Sequence, residues 1–214
     1  MSNEINWIFD DFLVEYEYSQ NKMSSNVDEI FKNKKKQTIW CLYHDHLYTG
    51  GRRANKLHVI NKNIPFFDTN RGGEVTYHGP GQLVVYSMIN LNLYKKDISM
   101  YVRFLEYWIY KILKNFDIES KSYPERVGLW VDSRHGGEKK IASIGVHVKR
   151  WVTSHGFSIN ICPDLSYFDG IIPCGISSYG VTSVENELKT NVNICLESIV
   201  KESFYKAFEK FYRL

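Results

Sequence analysis

Cys174 stands between Pro173 and Gly175 in the run IIPCG, and 34 residues earlier KKIASIG brings Lys140 into what reads as a strand. Further upstream, residues 71–91 read RGGEVTYHGPGQLVVYSMINL. A thiol on a Pro-Gly turn is presented with little bulk around it. Its free pKa of about 8.5 leaves it mostly protonated at neutral pH, so it needs help to act as a nucleophile. A lysine supplies that help: its ammonium stabilises a thiolate, and a partly desolvated amine shuttles protons. Strand alternation sends Lys139 and Lys140 to opposite faces, so one meets water while the other can meet a pocket. Gly72, Gly73, Gly79 and Gly81 allow the upstream loop to bring its backbone close to a ligand. Thiol, amine and glycine-dense loop are the parts of a site that forms a covalent acyl-thioester.

Each part has a plainer reading. A lone cysteine is usually a small buried apolar residue. That reading suits Cys41, in an apolar strand pattern, and Cys195, in the final helix. Cys162, before Pro163, is ambiguous. A lysine pair at a strand entrance is often surface, and a glycine-rich loop is often a plain connection. No Walker A or GxGxxG pattern accompanies the loop, so phosphate cradling is not indicated. His44 and His46 would place two imidazoles on one strand face. No third carboxylate or thiol stands near them, so no metal is expected. Among the histidines at 44, 46, 78, 147 and 155, His78 is best placed to touch a ligand.

The elements that must position these residues follow from periodicity and propensity. Residues 8–35 read as helix, broken near Ser24-Ser25-Asn26, with Lys32–Lys36 as a basic, solvated C-terminal end. Thr38–Tyr43 reads as a strand, followed by a loop, HDHLYTGGRR. Residues 64–67 form another short strand, and Leu83–Leu91 a buried one. Residues 97–116 form the clearest helix: Tyr101, Leu105, Trp108, Ile109, Ile112, Leu113 and Phe116 make one apolar stripe. Arg126–Asp132 is a strand. Ile141–Val148 and Gly156–Ile161 pair as a hairpin joined through KRWVTSH, and an amphipathic helix spans 191–213. Strands and helices mix without βαβ alternation, which predicts an α+β fold: a single domain with a mixed, largely antiparallel sheet flanked by helices.

The chain has 214 residues, 43% of them hydrophobic and 15% aromatic, enough for a substantial core. The formal charge of +3 demands no nucleic-acid partner but leaves room for an acidic protein met by steering. The scattered lysines form no RRM, KH or helix-turn-helix pattern. The four cysteines form no CxxC pair and read as reduced thiols. No secretory signal and no membrane-spanning run is visible. An organellar leader could precede the chain, and its Asn/Lys bias leans toward a plastid.

Residues 71–86 match throughout the loop RGGxxTYHGPGQLVxY of the lipoyl(octanoyl) transferases, a family of the biotin and lipoate protein ligase-like superfamily. Lys140 to Gly145 resembles that family's K-I-A-S-x-G block. His155-Gly156-Phe157 resembles its H-G-hydrophobic segment, and Pro173-Cys174-Gly175 its P-C-G. The resemblance covers roughly residues 38–190, and the order and spacing of its blocks make it specific. One departure stands at Tyr43-His44-Asp45-His46, where the family has Glu-His-Pro-Pro.

The resemblance implies the ligase-like catalytic fold over 1–214 and a cofactor-free transfer of octanoyl from octanoyl-acyl carrier protein to a lysine of an apo lipoyl domain. The acceptors would be 2-oxoacid dehydrogenase complexes or the glycine cleavage H protein. By the same resemblance Cys174 is the acyl-accepting nucleophile and Lys140 lowers its pKa. Arg71, Gly72, Gly73, Glu74, Val75, Thr76, Tyr77 and His78 would line the substrate site with Ser143, Ile144, Gly145, Gly156, Phe157 and Ser158. A soluble monomer is expected, cytoplasmic if bacterial and plastid or mitochondrial if eukaryotic. Two alternatives share the fold: an ATP-dependent lipoate ligase, which needs no nucleophilic cysteine and ends its loop in Asp-x-Gly-Asn where this chain has Gly79-Pro80-Gly81-Gln82, and a lipoyl amidotransferase using the same thioester chemistry.

Overall fold

The computed structural model describes residues 4–172, 179–188 and 195–212. Its main sheet is built from β1 (Ile5–Leu13), β2 (Gln37–Tyr43), β6 (Gln82–Met88), β10 (Val152–Asn160), β9 (Glu138–Lys149), β8 (Arg126–Asp132) and β7 (Lys121–Tyr123), in that spatial order. β1 runs parallel to β2, and every other pairing along this path is antiparallel. A short strand, β11 (Gly180–Val181), lies parallel to β9. A second sheet has β3 (Leu47–Gly50) between β4 (Phe66–Asp68) and β5 (Val75–His78). The expected mixed, largely antiparallel sheet is the one found.

Helices cover both faces of the main sheet. Ile39 and Cys41 of β2, and Leu83 and Val85 of β6, pack with α2 (Ile98–Lys114) and α4 (Leu196–Tyr212). Their neighbours Trp40, Leu42, Val84, Tyr86 and Met88 pack with Met23, Val27 and Ile30 of α1 (Tyr16–Phe31). Burial on both faces explains why β6 alternates only loosely in sequence. The α2 stripe is buried as predicted, with Phe104 added to it. Each such side chain contributes about 1.5–3 kcal/mol. Asp97 caps α2 by accepting from the Met100 amide at 2.8 Å. A one-turn helix, α3 (Val184–Leu188), follows β11.

Several expectations need correction. Residues 8–13 belong to β1, and the helix starts only at Tyr16, where the Glu15 carboxylate accepts from the amides of Glu17 (2.9 Å) and Tyr18 (2.6 Å). That helix is unbroken at Ser24–Asn26. The presumed loop after β2 contains β3, and the glycine-rich loop contains β5. The connection read as KRWVTSH is a two-residue turn: Arg150 and Trp151 have φ of 53° and 64°, the conformation of tight primed hairpins. β7 and β11 were not anticipated. Cys195 precedes α4 and is exposed, while Cys41 is buried as expected.

His44 and His46 do not share a strand face. His44 is buried, with Nδ1 2.7 Å from the Val14 carbonyl and Nε2 2.8 Å from the Tyr86 hydroxyl. His46 stacks on Tyr167 at 4.0 Å and has Nδ1 2.8 Å from the Tyr77 hydroxyl. The atypical 43–46 segment is thus tied down through its imidazoles.

Candidate active site

A cavity of about 290 Å³ opens where β5 and the glycine-rich loop meet β6, β8, β9 and β10, small among ligand pockets. Arg71, Gly73, Glu74, Val75, Thr76 and His78 line it from the loop and β5. Ser143, Ile144 and Gly145 come from β9, and Gly156, Phe157 and Ser158 from β10. Lys140 also reaches it. Gly72 and Tyr77 do not. Gly72 spends its amide on the Val146 carbonyl at 2.8 Å. Tyr77 packs into a cluster with Tyr48, Val75, Phe168 and Ile171. Cys174 lies outside the described residues.

Lys140 is buried, and its ammonium sits 5.3 Å from the centre of the Trp130 ring. Lys139 does not line the cavity, so the two neighbouring lysines differ in their access to it. β11 pairs Val181 with Lys140, and the Thr182 amide donates to the Lys140 carbonyl at 2.9 Å. On the other side of residues 173–178, the Ile172 amide donates to the His58 carbonyl at 2.8 Å. The chain therefore leaves toward Cys174 from beside His58 and returns alongside Lys140.

Arg71 is a buried clamp. Its Nη2 donates to the Thr49 carbonyl and hydroxyl, both at 2.8 Å, and its Nη1 to the Gly72 carbonyl at 3.0 Å. It crosses over Gly145, where an added Cβ would stand 2.9 Å from Arg71 Cδ and 3.0 Å from the Gly72 oxygen. Only glycine lets the loop close this tightly onto β9.

His78 is held in one tautomer. Gln82 Nε2 donates to the Tyr77 carbonyl at 3.2 Å and to Asn160 Oδ1 at 2.9 Å, while Asn160 Nδ2 donates to the Thr182 carbonyl at 3.0 Å. Both partners of Gln82 Nε2 are acceptors, so Gln82 Oε1 faces His78 Nδ1 at 2.7 Å and accepts its proton. Burial, with His44 and Arg71 nearby, pushes the His78 pKa down to about 3. The imidazole is neutral, with Nε2 unprotonated. His155, whose Nε2 lies 2.9 Å from Asn70 Oδ1, is likewise pushed down to about 3 by burial and Arg71.

Sequence reasoning missed Tyr16, Arg53, Val84, Tyr86, Arg126, Trp130 and His155, all lining the cavity. Val84 and Tyr86 share a face of β6 by simple alternation and could have been found. Arg126 lies with its guanidinium 3.9 Å from the Tyr123 ring centre and 4.5 Å from those of Trp130 and Tyr179, and pairs with Glu138. Nothing local in the sequence signals that cluster. Among the described residues no group of three or more His, Cys, Asp and Glu converges, and no helix is long and apolar enough to cross a membrane.

The mixed sheet with helices on both faces is the fold of the ligase-type catalytic domains. The structure of an archaeal bipartite lipoate protein ligase with its E2 lipoyl domain from Thermoplasma acidophilum superposes with TM-score 0.64 at 15% identity, over 97% of this chain and 84% of that one. The chain belongs to the lipoyl protein ligase A/B catalytic domain family, whose model matches residues 15–209. It is 42% identical over 204 residues to the octanoyltransferase of Wolbachia pipientis wMel, covering 94% of this chain and 98% of that protein. It is 42% identical over 183 residues to the octanoyltransferase of Zymomonas mobilis, covering 85% and 84%. Neither relative supports the plastid expectation.

Proposed function

We propose that residues 1–214 form a single octanoyltransferase domain that moves an octanoyl group from octanoyl-acyl carrier protein to a lysine of an apo lipoyl domain through a Cys174 thioester. The observation that carries the mechanism is the position of Lys140. It is buried in the cavity wall and paired through its backbone with the strand that returns from Cys174.

The Cys174 thiolate attacks the donor's thioester carbonyl, forming a new C–S bond. The tetrahedral intermediate collapses, the donor's C–S bond breaks, and the leaving thiolate takes a proton from Lys140. The acceptor lysine then attacks the acyl-enzyme as a free amine. Its C–N bond forms, Lys140 receives the surplus proton, and Cys174 leaves as thiolate. Exchange of a thioester for an amide runs downhill without ATP. The relatives named octanoyltransferase, at 42% identity, favour this reading over the ATP-dependent ligase, whose solved structure with ATP is 16% identical. The domain works as a monomer.

Intact-mass analysis after incubation with octanoyl-acyl carrier protein tests it. A single octanoyl adduct mapping to Cys174, discharged by an apo lipoyl domain, is expected. Transfer by an enzyme that never carries the adduct, or by Cys174→Ala, would refute the covalent route.

A further inference from the structure

The proposed transfer brings a protein-borne thioester to the cavity, and one surface segment beside it has the character to receive such a carrier. Residues 51–63, GRRANKLHVINKN, carry Arg52, Arg53, Lys56 and Lys62 and no Asp or Glu. Within it, Leu57 is 84% and Ile60 62% exposed, the highest values among the large apolar side chains of the described residues. Such residues on a basic surface suit an acidic partner with a small apolar contact.

The segment is fastened at both ends to the candidate site. The amides of Gly51, Arg52 and Arg53 donate to the carbonyls of Glu74, Arg71 and Gly73 at 3.2, 2.9 and 3.1 Å. Arg53 lines the cavity itself. At the far end, the amides of Ile60 and Asn61 donate to the Gly170 carbonyl at 2.9 and 3.0 Å, and the His58 carbonyl holds Ile172. The basic segment thus bridges the glycine-rich wall and the chain that leads into Cys174. Lys56 pairs with Asp68 at 2.7 Å, and Glu74 lies 3.6 Å from His58 Nδ1. Arg52 lies beside His147 at 3.2 Å. Among the described residues neither Arg53 nor Lys62 has a carboxylate within ion-pair reach.

We infer that residues 52–62 are the docking surface for the acidic protein that carries the acyl thioester, an inference that rests on the transfer reading above. A donor that must arrive, unload and leave needs a fast encounter more than a tight complex. Charge steering with little buried area provides it.

The test compares two donors, octanoyl-acyl carrier protein and octanoyl-pantetheine, which has the same thioester and no protein. The variants are Lys56→Glu/Lys62→Glu and Leu57→Ser, neither of which touches the cavity. With the protein donor, KM is expected to rise roughly tenfold in the double variant and kcat to hold. With octanoyl-pantetheine both constants should stay at wild-type values. Added salt should raise the wild-type KM for the protein donor only. Equal losses with both donors, unchanged KM with the protein donor, or an effect confined to the acceptor domain would each overturn the docking assignment. A wild-type enzyme that transfers from neither donor would instead remove the transfer reading itself.

Discussion

Lys140 lies across the bare backbone of Gly128. A Cβ placed there would stand 2.6 Å from Lys140 Cε, 3.3 Å from its Nζ and 2.6 Å from the Ala142 carbonyl oxygen. The φ of Gly128 is +128°, a conformation that side-chain-bearing residues rarely adopt. Gly128→Ala would therefore strain the strand by about 1–3 kcal/mol and push the amine out of place. Displacement of about an ångström lowers rates by roughly tenfold to a hundredfold. Thermal melts should show a folded, destabilised protein, and rapid-quench mass analysis should show slow Cys174 acylation. A folded variant acylated at the wild-type rate would show that the position of the amine does not matter.

Asn160 joins two halves of the site. Its side chain accepts from Gln82, which orients His78, and donates to the Thr182 carbonyl, whose own amide holds Lys140. Asn160→Leu leaves a buried Gln82 donor and a Thr182 acceptor without their partner, at a cost of about 1–3 kcal/mol. The urea midpoint should fall accordingly. Acylation should slow further than that loss explains, because β11 is loosened where it runs beside Lys140. An unchanged urea midpoint would show that water replaces the amide at no cost.

Lys140→Met separates the electrostatic role of the lysine from its packing, since methionine fills similar apolar space. The rate of Cys174 alkylation by iodoacetamide follows the thiolate fraction. Its pH profile should move upward in the variant, toward that of an ordinary thiol, and octanoyl transfer should slow at neutral pH. A profile that coincides with wild type would remove Lys140 from thiolate stabilisation.

How much of this was legible depends on which forces were local. α2 was readable because its stripe meets one continuous core and Asp97 caps it. β1 was misread for a physical reason: Ile5, Ile8, Phe9, Phe12 and Leu13 fall at helical spacing, and only pairing with β2 makes the segment a strand. Phe12 and Leu13 remain exposed as a result. The glycine-rich loop was legible because close backbone approach favours glycine, whereas the 143–145 and 156–158 blocks were legible only through their family resemblance. Tyr16 and Trp130 were not, since only tertiary packing brings them to the cavity.

Three buried histidines should make the fold acid-sensitive. Burial, foremost, pushes the pKa of His44 down to about 4 and those of His78 and His155 to about 3. The unfolded chain binds these protons at about pH 6.5, the folded chain only near pH 3–4. Above the unfolded value both states are neutral and stability does not change. Below it unfolding takes up protons, so stability falls with pH by up to about 1.4 kcal/mol per unit for each histidine. Glu187 does not share this window: burial opposes its charged form, but hydrogen bonds from Thr182, Ser133 and the Arg134 amide hold it below its ordinary value. The urea midpoint should therefore drop already between about pH 6.5 and 5. A flat midpoint over that range would falsify the neutral assignment.

Val84 offers a way to measure the acyl slot. It lies on β6, faces α1 and lines the cavity, so a larger side chain there shortens the space for a chain without touching Lys140. Each methylene seated in an apolar slot contributes about 0.8 kcal/mol, roughly fourfold in binding. Val84→Phe should cost the octanoyl donor most and a butanoyl donor little, inverting their order in kcat/KM. Overpacking of about 1–3 kcal/mol would lower stability equally for both donors and so cancels in their ratio. Competition between the two acyl-acyl carrier proteins, read by intact mass of the acyl-enzyme, gives that ratio directly. A ratio unmoved by Val84→Phe would mean that the chain lies along another wall.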